Sequence, residues 1–159
     1  MSSFVNSKRR VARLAAVQSL YSWALNPLPP QDVVYQFVAF HAESQSDLPI
    51  DLDYYRQLFF HTVSNIKYVD SKIAQFSSRD LNNLDPIVLA ILRIATCEIV
   101  TKISIAPVAI NEAVEIAKAI AGTGSYAFVN SILDKVKLAE DDASKSENFE
   151  PNDDNDVNI

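Results

Sequence analysis

Two glycines in 159 residues is a marked scarcity, against an average near ~7% in ordinary chains. Phosphate-cradling loops, dinucleotide-binding turns and β folds built on tight turns all draw on glycine, so all three are disfavoured. A single cysteine, Cys97, excludes an internal disulfide framework and a multi-cysteine zinc site. Two histidines, His41 and His61, are too few for a histidine-rich metal centre. No stretch reaches the ~18 predominantly apolar residues of a membrane-spanning helix. These shortages point to a soluble, intracellular, mostly helical protein without metal, cofactor or dinucleotide chemistry.

What is present is enough to build one core. Hydrophobic residues make up 48% of the chain and charged residues 21%, which excludes a wholly disordered polymer. The net charge of −6 is unevenly spread. Residues 139–159 hold eight acidic residues and one lysine, whereas residues 1–138 hold thirteen basic and twelve acidic residues. Lys8, Arg9, Arg10 and Arg13 fall within six positions, and no acidic residue precedes Asp32. A basic head, a near-neutral body and an acidic tail point to nucleic-acid or acidic partners. The expected organisation is one helical domain over 1–138 and an acidic, disordered tail over 139–159.

The basic head opens an amphipathic helix. Ser7 is placed to cap it, Val11, Leu14, Gln18, Tyr21 and Leu25 form a stripe at helical spacing, and Asn26-Pro27 stops it. Gln18, Ser19 and Ser22 interrupt the apolar run, and Asn26-Pro27-Leu28-Pro29-Pro30 offers no small-x-small site, so it does not read as a signal peptide. Further helices are expected at about 33–42, 52–76 with a possible bend, 87–100, 108–121 and 126–138. Asp85-Pro86 is a strong start signal, and both glycines fall in Gly122-Thr123-Gly124. The segment after Pro86 is apolar on nearly all sides and belongs at the centre. No period-2 strand is present, so the fold class is all-α, with six to seven helices around one core.

No catalytic constellation stands out. Cys97 lies in the most apolar helix and reads as a structural thiol. Asp51 and Asp53 are explained by capping, His41 and His61 by packing or surface positions, and Asn111 and Glu112 by hydrogen bonding to a neighbouring helix end. The best functional signal is the basic helix: lysine and arginine neutralise phosphates, and arginine can fork onto a phosphate or a guanine edge. Gln18 and Tyr21 on the same helix could add a base-edge bond and a stacking face, though a solvated helix end explains the charges equally well. Phe128, near a loop, suits core packing or base stacking.

Four segments together resemble the NusB family of bacterial transcription antitermination factors. They are Lys8-Arg9-Arg10-Val11-Ala12-Arg13 continuing through Ala16-Val17-Gln18-Ser19-Leu20-Tyr21; Ile91-Leu92-Arg93-Ile94-Ala95 with Glu98-Ile99; Pro107 to Lys118; and Phe128 to Lys135. They occur in the family's order and cover about 8–137. The resemblance implies an all-helical fold of two small helical subdomains, a cytoplasmic location and a binding role without catalysis. It implies boxA-type single-stranded RNA of nascent ribosomal transcripts as ligand. The implied partners are NusE, a small-subunit ribosomal protein, and, indirectly, other Nus factors and RNA polymerase, in promoting elongation past terminators. Carried over by position, Lys8, Arg9, Arg10, Arg13, Gln18, Tyr21 and Phe128 would meet RNA, and Tyr21, Pro86 and Val88 would face NusE. Val11 stands where relatives can carry another arginine, and Gly124 and Val88 where some carry an acidic residue. NusB-like domains also occur fused to RsmB-type RNA 5-methylcytosine methyltransferases, which is the enzymatic alternative; a helical adaptor without RNA is another. The acidic tail could compete with RNA for the arginines or simply aid solubility.

Overall fold

The computed structural model describes residues 7–44 and 49–147. Seven α-helices account for most of them: α1 (Lys8–Leu25), α2 (Pro30–Glu43), α3 (Leu52–Ser64), α4 (Ile66–Phe76), α5 (Pro86–Thr101), α6 (Ala106–Ile120) and α7 (Ser125–Glu147). A single 3-10 turn, Leu81–Asn83, lies between α4 and α5. No strand occurs among the described residues.

The helix starts follow from local chemistry. Ser7 accepts a hydrogen bond from the Arg10 amide, Asp51 from the Tyr54 amide and Asp85 from the Ile87 amide. Each satisfies an amide that would otherwise lack a partner in the first turn. Pro86 takes the first helical position of α5, where its missing N–H costs nothing. α5 ends at Lys102, which adopts a left-handed φ of 58° although it is not glycine. Gly124, at φ 83°, makes the turn that delivers the chain into α7.

The packing is organised around α5, which contacts α1, α3, α4, α6 and α7. Ten of its sixteen residues are buried, which is why its sequence carries no polar face. α1, α2 and α3 pack together, as do α6 and α7, and α4 bridges α5 and α7. One continuous apolar cluster runs through both groups, with Leu20, Leu58, Phe59, Val69, Ile73, Leu92 and Leu133 fully enclosed.

Two expectations change. The helix expected over 52–76 is two helices, because Asn65 leaves helical geometry at φ −113°, ψ 20°. Its side-chain amide donates to the His61 carbonyl at 2.8 Å, the local competition with the helix ladder that asparagine offers. Tyr55, Leu58, Phe59, Thr62, Ile66, Val69 and Ile73 keep helical spacing across the break, so the pattern alone does not locate it. The last helix runs nine residues beyond Leu138, into the segment expected to be disordered. Alanine, glutamate and lysine are good helix formers, and Glu140 pairs with Lys72 of α4 at 3.6 Å. The rest of the expected tail, 148–159, lies outside the described residues.

Candidate nucleic-acid interface

The first turns of α1 lie where α3, α5 and α6 converge. Lys8 and Arg9 are exposed. The Arg9 guanidinium rests 4.9 Å from the centre of the Tyr54 ring, a cation–π distance. Arg10 turns towards α6: its Nε and NH2 groups donate to Glu112 Oε2 and Oε1 at 2.8 and 2.9 Å. This is the two-point fork that arginine makes with planar anions. Both side chains keep a little solvent contact, 14% for Arg10 and 12% for Glu112.

Arg13 goes inside. The residue is 4% exposed, its Nε donates to both Glu98 oxygens at 3.0 and 3.2 Å, and its NH2 donates to Tyr54 Oη at 3.1 Å. Tyr54 Oη in turn reaches Glu98 Oε2 at 3.5 Å, and Arg13 NH1 lies 3.9 Å from Glu112. The expectation that Arg13 presents its charge to RNA therefore gives way to an internal ion pair. The physical reason is that Arg13 shares the buried face of α1 with Ala12, Ala16 and Val17, and only a paired charge can occupy that face.

The electrostatics follow the geometry. The Glu112 hydrogen bond holds the Arg10 guanidinium above its usual range. Burial works against the Arg13 charge, but Glu98 outweighs it and Arg13 is also raised. Burial pushes the Glu98 carboxyl up, with Arg13 opposing. Burial, reinforced by Glu98, raises the Tyr54 phenol. Four arginine and glutamate charges thus cancel in pairs, and Lys8 and Arg9 are the cations of this turn that face solvent.

The remaining candidates fall in two places. Gln18 is exposed and Tyr21 half-buried further along α1; at about 1.5 Å of rise per residue, Gln18 lies about 12 Å along the axis from Arg10. Phe128 is half-buried and lines an open groove of about 480 Å³ with Arg79, Leu84, Asp85, Val88 and Gly124. Phe128 both packs on the core and shows a face to this groove. Val88, expected as a partner contact, is 5% exposed and forms part of the groove wall; Pro86 is exposed beside it.

Sequence reasoning missed three residues. Tyr54 carries no sequence sign of being the platform under Arg9. Glu98 was one of few polar residues in a buried helix, which is itself the signal of a paired charge. Arg79, between α4 and α5, carries no sequence sign of its place in the groove lining. Glu112, expected to bond a neighbouring helix end, meets the first turn of α1 through Arg10. Cys97 is fully buried, and burial pushes its thiol up, as a structural cysteine requires. Among the described residues, no group of three or more His, Cys, Asp or Glu side chains is arranged to hold a metal. No helix there is long and apolar enough to cross a membrane.

Comparison with known proteins gives a consistent result. Residues 10–138 match the model of the NusB family. The transcription antitermination protein NusB of Histophilus somni (strain 2336) is 37% identical over 134 residues, spanning 84% of this chain and 92% of that protein. The protein of the same name from Mannheimia succiniciproducens is 41% identical over 134 residues, with 84% and 91% covered. Among solved structures, antitermination factors NusB and NusE in complex with dsRNA match with a TM-score of 0.72 at 25% identity, over 83% of this chain and 97% of that one. T. maritima NusB matches with a TM-score of 0.69 at 27% identity, over 89% and 98%.

Proposed function

The chain belongs to the NusB family, and from that premise we propose that it is a transcription antitermination factor. It binds boxA-type single-stranded RNA of nascent ribosomal transcripts together with NusE, and through other Nus factors it keeps RNA polymerase elongating. The observation that carries this reading is the match to antitermination proteins over more than nine-tenths of their length. A similar structure solved as NusB with NusE and dsRNA supports it.

On the RNA side, Lys8 and Arg9 supply phosphate contacts, Gln18 a base-edge bond, and Phe128 a stacking face in the groove that Arg79 borders. Arg10 and Arg13 serve mainly to fix the turn that presents Lys8 and Arg9. On the protein side, Tyr21, exposed Pro86 and the Val88 wall form the surface for NusE. The role is binding and not catalysis, in the cytoplasm where nascent transcripts are made. The buried, raised thiol of Cys97 is unsuited to serve as a methyltransferase nucleophile.

Fluorescence anisotropy with a labelled boxA-like strand and a scrambled strand, each with and without NusE, tests the proposal. The expected result is preference for the boxA-like strand, sharpened by NusE. Equal, weak and fully salt-suppressed binding to both strands would reject it. In the same assay Arg9→Ala is expected to reduce the slope of log affinity against log salt by about 0.7, the contribution of one phosphate contact on a single strand.

A further inference from the structure

Of the four positive charges on the first turns of α1, two are already matched by carboxylates, and the two matches differ in kind. Arg13 and Glu98 have side chains 5% and 1% exposed; no phosphate can reach them without unfolding the junction. Arg10 and Glu112 remain at the rim, at 14% and 12%. There the carboxylate engages Nε and NH2 of Arg10 at 2.8 and 2.9 Å. A phosphate uses the same two-donor edge in the same planar geometry. Glu112 therefore occupies the position on Arg10 that an RNA phosphate would take, at a point solvent can reach. Glu115, one turn further along α6, adds negative field at Arg10.

Resting on the RNA-binding reading above, we propose that Glu112 sets the electrostatic affinity of the RNA surface, as an internal phosphate mimic that withholds the charge of Arg10 from phosphates. Backbone charge drives sequence-independent binding, and each neutralised phosphate contributes to it regardless of base. Holding Arg10 on Glu112 removes one such contribution from every RNA alike. Base-edge and stacking contacts, which distinguish RNAs, are untouched. Affinity for matched and unmatched strands therefore falls by the same factor.

The test uses the full-length chain, the boxA-like and scrambled strands, and a salt titration from 50 to 200 mM. Glu112→Gln is expected to raise affinity for the scrambled and boxA-like strands by the same factor and to steepen the salt slope of each by about 0.7. That slope corresponds to about 2.5-fold more affinity lost over this salt range. The gain must vanish when Arg10→Ala is added, with Arg10→Ala alone as reference. Should Glu112→Gln lower the melting temperature, Arg10→Lys gives a second route. It keeps the charge but not the two-point fork, and is expected to raise scrambled-strand affinity in the same direction. Unchanged slopes in both single variants, or a gain that survives Arg10→Ala, would overturn the inference while leaving the RNA-binding reading intact. Absence of RNA binding by the unmodified protein would overturn both.

Discussion

At the scale of single residues, charge and burial decide roles that residue type leaves open. Arg9, Arg10 and Arg13 are chemically alike, yet one lies over an aromatic ring at the surface, one is forked on a rim carboxylate and one is enclosed. The enclosed pair makes a sharp prediction. Glu98→Ala leaves Arg13 buried without its counter-charge and is expected to cost about 3–5 kcal/mol in urea unfolding. Replacing both with apolar residues, Arg13→Met with Glu98→Leu, is expected to cost far less than either single change, because no charge is then buried. Cys97 gives a second check. With its thiol buried and raised, native protein at pH 8 is expected to resist iodoacetamide, and protein unfolded in urea to react fully. Rapid native alkylation would show that α5 opens.

At the scale of elements, helix ends were legible where capping chemistry is local. Ser7, Asp51 and Asp85 sit where capping residues belong and form the bonds. Asp85→Ala is expected to destabilise by about 1 kcal/mol, read from the denaturation midpoint at unchanged slope. The exit from α5 at Thr101 lies one residue past the expected 100, but the left-handed φ at Lys102 has no sequence signature. Lys102→Gly is expected to stabilise by up to about 1 kcal/mol, since glycine bears no Cβ penalty there. The interruption between α3 and α4, expected as a possible bend, had no legible position, and the length of α7 was not legible either. In the first case the apolar stripe continues across the break. In the second the apolar pattern stops while helix propensity and the Lys72–Glu140 pair carry the helix on.

At the scale of the whole molecule, the fold is a layer of helices around α5, and the candidate interface is assembled from parts distant in sequence. The acidic segment beyond Leu138 carries a net −7, while Arg10 and Arg13 are already met from the core side by Glu112 and Glu98. Truncation after Leu138 is therefore expected to leave RNA affinity equal at low and physiological salt. It removes one partly exposed ion pair, Lys72–Glu140, worth about 0–1 kcal/mol. A rise in affinity confined to low salt would instead identify the acidic segment as a competitor for the basic turn.

The amino-acid sequence by itself determined the all-helical class, most helix starts, the central place of α5 and the position of the basic turn. Each of these depends on residues within a few turns of one another. Which of those basic charges face solvent was decided only by tertiary structure. Glu98 and Glu112 stand 85 and 102 residues from the arginines they hold, and nothing local to α1 encodes a carboxylate arriving from α5 or α6. The same holds for Phe128 and Val88, which line one groove only because α5 and the α6–α7 turn pack side by side. Local sequence sets where a helix begins and which face is apolar. The burial and pairing of its charges depend on which helices are brought against it.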